Sequence, residues 1–202
     1  VRPCQSYVFE NRMTRDALRP KNGIVGVVQH GDLFWEQVPE ALIHRVVDVV
    51  EETAATKRTV PKYVLWTKRA ERMARILRGR YPSGTPDFLA CAVSAENQPA
   101  ADERMPFLLE VNTTRIAVIE PMLGPVSLGP YLQGLHWLVV GSETGKPDAR
   151  SLDVEWVKSL RDEALESRVP FFLKQLGDAH GKEVARILDG RTWDQFPPGF
   201  TK

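Results

Sequence analysis

Cysteine is scarce in this chain: Cys4 and Cys91 are the only two, and neither has a second cysteine near it in sequence. That spacing argues against a disulfide framework. A metal site of three or four cysteines cannot be assembled within these 202 residues. Long hydrophobic runs are also missing. No apolar stretch approaches the ~18 residues that would cross a bilayer, and the opening residues VRPCQSYVFENRM lack the apolar segment of a signal peptide. These absences lead to the expectation of no membrane partner and a cytoplasmic location. Charge of one sign is lacking too. Lys and Arg number 27 against 26 Asp and Glu, a net +1, so global charge gives no argument for a polyanionic partner. A local excess occurs near the N-terminus, where Arg2, Arg12, Arg15, Arg19 and Lys21 outnumber Glu10 and Asp16. It reads either as a nucleic-acid contact or as a solvated surface. His30, His44 and His180 have no metal-ligand spacing, so no metal site is expected.

What is present fits one globular domain over residues 1–202. Hydrophobic residues make up 43% and charged residues 26%, and a chain of this length can bury a single sizeable core. There is no internal repeat. Short apolar runs alternate with amphipathic segments. The runs at 23–29, 62–67, 87–93, 115–120, 136–141 and 169–175 predict strands. Segments near 39–53, 68–80, 97–111 and 153–167 predict helices, the first with Val38, Leu42, Val46, Val49 and Val50 on one face. Pro106 is expected to break or kink the third. The link PMLGPVSLGPYLQGL is too rich in Pro and Gly for a long helix, and the tail EVARILDGRTWDQFP predicts a hairpin or ribbon. Strands alternating with helices imply a parallel sheet, and near-continuous apolar strands mean both faces are covered. The predicted fold is α/β, either a doubly wound open sheet or a partial (β/α) barrel of about six parallel strands. The irregular fourth link favours the TIM-barrel-like alternative.

Polar residues gather just after each strand. Gln29, His30 and Asp32 follow the first; Thr67, Lys68 and Arg69 the second; Ser94, Glu96 and Asn97 the third; Glu120 and Pro121 the fourth. Ser142, Glu143 and Thr144 follow the fifth, and Lys174 and Gln175 close the sixth. In a parallel α/β fold these positions meet at one rim, where such proteins hold ligands. Ser94, Asn97 and Thr144 can equally serve as helix N-caps. Lys68, Glu120, Glu143 and Lys174 cannot be explained that way. A charge at a strand end needs a partner or a ligand, so these four read either as ligand-binding groups or as internal ion pairs. The stretch GSETGK has only a loose likeness to a phosphate-binding turn. Trp35, Trp66, Trp137, Trp156 and Trp193 sit in apolar patterns and read as core.

The blocks GDLFWEQVPEALI, VLWTKRAERM, AVSAENQPAADERMPFLL, IEPMLGPVSL, WLVVGSETGKPDAR, VEWVKSLRDEA, VPFFLKQLG and LDGRTWDQFP run in this order from about Gly31 to Pro197. Together they resemble a phage- and prophage-encoded family of unknown function that carries an N-terminal three-cysteine motif. The resemblance implies a radical S-adenosylmethionine (radical-SAM-like) protein with a partial barrel. It also implies a [4Fe–4S] cluster on the three cysteines, S-adenosylmethionine on the rim, and a loose similarity to DNA photoproduct lyases. The family's rim pattern falls on Asp32, Thr67, Lys68, Arg69, Ser94, Glu96, Asn97, Glu120, Pro121, Gly141, Glu143, Lys174 and Gln175.

The departure lies at the N-terminus. The family motif ends in Cys-x-x-Cys-Tyr-Ala. Setting Tyr7 on the motif tyrosine puts Pro3 and Ser6 at the last two cysteine positions and leaves Cys4 out of register. Residues 1–22 then read as a degenerate remnant of the cluster-binding loop, in a barrel incomplete at its N-terminus. One cysteine cannot hold a [4Fe–4S] cluster. The expectation is a degenerate relative, without cluster or other cofactor, that binds a nucleotide-like or other small ligand at the rim through Asp32, Thr67, Lys68, Arg69, Ser94, Glu96, Asn97, Glu120, Ser142, Glu143, Lys174 and Gln175. Two alternatives stand beside it. One is a cofactor-independent enzyme with Glu120 or Glu143 as general base and Lys68 or Lys174 as electrostatic stabiliser. The other is a non-catalytic prophage remnant.

Overall fold

The computed structural model describes residues 23–28, 31–144, 149–177 and 186–200. Strands and helices alternate as β1 Ile24–Val27, α1 Glu40–Ala55, β2 Lys62–Thr67, α2 Ala70–Arg80, β3 Leu89–Ser94, α3 Gln98–Leu109, β4 Thr114–Ile119, α4 Gly129–Leu132, β5 Trp137–Gly141, α5 Val154–Glu166 and β6 Phe171–Gln175. The six strands lie in chain order, and every neighbouring pair is parallel. Right-handed crossovers that always add the next strand on the same side put every helix on one face. The other face is left concave, and the sheet curls into a half-barrel. The predicted partial barrel is therefore the observed one, and the doubly wound alternative is not.

Strand alternation sorts the interior into two layers. Tyr63, Leu65, Cys91, Val93, Ala117, Ile119, Leu138, Val140, Phe171 and Leu173 point outward and join the helices in the main core. Val64, Ala90, Ala92, Ile116, Val118, Trp137 and Val139 point inward and form a second, smaller core. The C-terminal segment covers that concave face. Phe200 is buried there with Phe196 packed against the same cluster, and their ring centroids lie 5.5 and 5.2 Å from that of Trp137. The same segment caps the outer edge of β6 through an antiparallel bridge between Phe172 and Asp194. An open half-barrel would otherwise expose both an apolar face and unpaired backbone.

Several local expectations are corrected. The buried face of α1 is Ile43, Val47, Val50 and Ala54, with Val49 and Thr53 beside it. It is turned by one residue from the Leu42–Val46 stripe, because paired valines at 46–47 and 49–50 fit either face. Pro106 does not break α3, which runs on to Leu109. Pro106 and Asp102 are both exposed, so the carbonyl that loses its helical donor faces water. The tail, by contrast, forms the short hairpin expected of it, β7 Ile187–Leu188 with β8 Arg191–Thr192. It turns at Asp189 and Gly190, whose φ values of 51 and 75 are the pair that a type I′ turn requires.

Candidate functional site

The C-terminal ends of the strands surround a cavity of about 440 Å³ lined by Val28, Gly31, Asp32, Trp66, Thr67, Lys68, Arg69, Ser94 and Lys174. Lys68 follows β2 and Lys174 lies in β6, yet they line one space because the sheet curls. Asp32 organises the near wall. Its carboxylate accepts from the Phe34 amide at 3.0 Å, the Thr67 hydroxyl at 2.6 Å and the Lys68 amide at 2.9 Å. Arg69 approaches the same group at 3.5 Å. This hub fixes the backbone from which the Lys68 side chain projects.

On β3, Ser94 is buried and its Oγ accepts from the Trp66 indole N–H at 2.7 Å, which fixes the orientation of the Trp66 ring. Two residues on, Glu96 accepts from Arg104 at 2.9 Å, and the Lys68 ammonium stands 3.4 Å from the same oxygen. Burial acts to raise the Glu96 carboxyl, but the Arg104 hydrogen bond and the charges of Arg104 and Lys68 hold it below its ordinary value. Glu120, at the end of β4, accepts from both Lys174 at 2.7 and 2.9 Å and the Gln175 amide at 2.6 Å. Gln175 also donates to the Ser142 carbonyl at 2.8 Å. The close approach depends on Gly141: a Cβ there would stand 2.9 Å from the Gln175 amide nitrogen and 3.3 Å from the Glu120 carboxyl carbon.

The remaining predicted rim residues are engaged elsewhere. Asn97 is the N-cap of α3, accepting from the Ala100 amide at 3.0 Å. Ser142 is buried, and its Oγ accepts from the Gly177 amide at 2.7 Å. Glu143 holds Arg150 through two side-chain bonds at 2.8 and 3.2 Å and does not line the cavity. Thr144 caps no helix, since α5 starts later and is capped by Asp153. Cys4, Gln29, His30, Gly145, Lys146, His180, the basic residues at 2–21 and the proposed loop remnant 1–22 lie outside the described residues.

Three lining residues, Val28, Gly31 and Trp66, escaped the sequence reading. Trp66 packs against the inner core as expected but is only partly buried and also forms a cavity wall, whereas Trp137 and Trp193 are buried. Its signal was strand alternation, which puts 66 on the same face as 64. Val28 follows β1 at φ 57, a conformation β-branched residues rarely adopt, and no pattern announces it.

The arginines of α2 are absorbed internally. Arg69 meets Asp32 and Glu36, Arg75 meets Glu40, Arg78 meets Glu110, and Arg80 meets Asp48 and Glu51. Arg72 donates to the Phe34, Trp35 and Val38 carbonyls. These pairs tie the helix to its neighbours, while Arg75 and Arg78 stay more than half exposed. A larger groove of about 710 Å³ runs along α2 and α3 past Arg75, Arg78, Tyr81 and Phe107, on the outer layer away from the strand ends.

The residues present do not fit the cluster that the resemblance implies. The 202 residues hold two cysteines. Cys91 is fully buried on the helix-covered face of β3, and burial pushes its thiol up to about 12 although Thr113 opposes this. A thiol so placed is not a ligand. Among the described residues, no group of three or more His, Cys, Asp or Glu could hold a metal ion, and no helix is long and apolar enough to cross a membrane.

Fold and site together define a parallel β/α half-barrel with a polar cavity at its strand ends. The family description "Protein of unknown function (DUF5131)" matches residues 4–197, nearly the whole chain, and the chain belongs to that family. No curated protein and no solved structure matches it.

Proposed function

We propose that this half-barrel binds a small anionic ligand at its mouth. The carrying observation is that two lysines reach into the cavity while each carboxylate beside them also has a hydrogen-bond donor other than lysine. Asp32 is satisfied by Thr67 and two backbone amides, Glu96 by Arg104, and Glu120 by Gln175. Lys68, whose side chain is 41% exposed, can turn to a ligand and leave Glu96 paired with Arg104; Lys174, 51% exposed, can turn only by leaving Glu120 on the neutral Gln175 amide, so an anion there is shared between Lys174 and its pairing with Glu120. A cavity of this size suits a small molecule, and Trp66 adds a flat apolar wall suited to a nucleotide-like ring. The reading of a radical-SAM-like phage-family barrel rests on the resemblance, and the two cysteines in these residues do not supply the thiolates of a [4Fe–4S] cluster. The enzymatic alternative is less favoured, because Glu120 and Glu143 do not line the cavity.

Thermal melts against adenosine monophosphate, pyrophosphate and inorganic phosphate test the proposal. At least one should raise the melting temperature of the wild type in proportion to its concentration, and the Lys68→Ala/Lys174→Ala double variant should lose that rise. No rise with any of them at millimolar concentration contradicts it.

A further inference from the structure

We infer that the ligand is a phosphate monoester carried on a flat ring, with the phosphate held among Lys68, Ser94 and Lys174 and the ring lying against Trp66. The inference rests on the reading of the mouth as a ligand site and specifies what that site recognises. The one carboxylate lining the cavity, Asp32, is taken up by the Phe34 and Lys68 amides, the Thr67 hydroxyl and Arg69, whereas Lys68 and Lys174 pair with Glu96 and Glu120, which do not line it, and present donors to the cavity. Lys68, which follows β2, and Lys174, in β6, both line the cavity. Ser94 supplies the third: its Oγ already accepts from Trp66, so its own proton is left to donate. Among the described residues no acceptor for that proton is found, although Ser94 is only 5% exposed.

Three donors arriving from three strands match the three terminal oxygens of a phosphate. A carboxylate, with two oxygens in one plane, is better met by the fork of an arginine, whereas lysines bind phosphate as point charges. The arginine at the mouth, Arg69, is held between Asp32 and Glu36 at 3.5 and 3.4 Å. The Trp66 ring cannot rotate away without breaking its bond to Ser94, so ring and phosphate subsites are fixed relative to each other. A cavity of about 440 Å³ has room for one such ring and its phosphate.

Isothermal titration of the full chain at low salt with phenyl phosphate, glycerol 3-phosphate and benzoate separates the contributions. Phenyl phosphate should bind tightest. Glycerol 3-phosphate, which lacks the ring, and benzoate, which lacks the phosphate, should each be weaker by about tenfold, the loss of one charge-assisted or stacking contact. Lys68→Ala, Lys174→Ala and Ser94→Ala should each weaken phenyl phosphate, the lysine changes by about tenfold. Arg75→Ala, in the outer groove, should leave its affinity unchanged. Lys68→Gln and Lys174→Gln replace any alanine variant whose circular dichroism shows a lost fold. Benzoate binding as tightly as phenyl phosphate would overturn the phosphate assignment while leaving the ligand site standing. Equal binding by glycerol 3-phosphate would overturn the role of Trp66 and point to a ring-free phosphate such as a lipid headgroup. Failure of all three compounds, and of adenosine monophosphate, would overturn both the assignment and the site.

Discussion

The ammonium of Lys174 lies 2.7 and 2.9 Å from the two carboxylate oxygens of Glu120, bridging the end of β6 to the end of β4 across β5. A pair of this kind is structural when both charges are sealed from water and removal of one strands the other, at a cost of about 3–5 kcal/mol. Here Glu120 is only 16% exposed but Lys174 is 51% exposed, so the cation left behind can be hydrated.

Glu120→Ala and Lys68→Ala are therefore expected to lower stability by less than about 1.5 kcal/mol each, within the ordinary range for single substitutions. Urea melts decide the matter. Losses of about 3 kcal/mol or more in both would mean that the rim charges are there to hold the fold together.

Gly141→Ala should do more harm than either. The new methyl would meet the Gln175 amide at 2.9 Å, and that amide is pinned by bonds to Glu120 and to the Ser142 carbonyl. Overpacking a fixed site costs about 1–3 kcal/mol. At Gly134 the clash is with the end of the Leu109 side chain, which can rotate, so Gly134→Ala should be milder by the same melt. Equal losses in the two variants would show that Gln175 is not held as described.

Phe200→Ala tests the C-terminal cover of the concave face. Phe200 packs on Trp137 and lies 5.7 Å from the Lys62 ammonium, so its loss opens a void in the small inner core. A destabilisation of about 3 kcal/mol is expected, together with increased binding of a hydrophobic dye. Near-wild-type stability would mean that the tail lies on the sheet without sealing it.

Glu96 predicts part of the acid response. Its folded carboxyl titrates below the ordinary value of 4.5, against the effect of burial, because of Arg104 and Lys68. The unfolded chain keeps the ordinary value, so this group contributes stability above it and loses that contribution as pH falls through the lowered value. Glu96→Gln keeps an acceptor for Arg104 but no titration. Its urea midpoint should fall less steeply than that of the wild type between about pH 5 and pH 3; parallel slopes would contradict the assignment.

The fold was largely legible because its signals are local and repeated. Runs such as WLVV and IAVI can only be strands covered on both sides. The face of α1 was not legible, because adjacent valines satisfy two helical phases and tertiary contacts choose between them. At the rim, the sequence showed which residues follow each strand but not which way each turns. Lys68 and Lys174 face the cavity, Asn97 caps a helix and Glu143 turns to Arg150. That choice depends on partners such as Arg104 and Arg150, which lie on other elements and leave no mark in the local pattern. Trp66 was assigned to the core because an aromatic residue in an apolar strand is usually buried, and only the curl of the sheet puts its ring at an open mouth.

The central claim is that the strand-end cavity, and not the larger outer groove, is where this protein meets a small anion. Backbone-amide chemical shifts recorded during a titration with adenosine monophosphate test it most directly. The account predicts that the shifts which saturate cluster at Asp32, Trp66, Thr67, Lys68, Arg69, Ser94 and Lys174. Saturating shifts confined to Arg75, Arg78, Tyr81 and Phe107, or none anywhere at millimolar ligand, would contradict it.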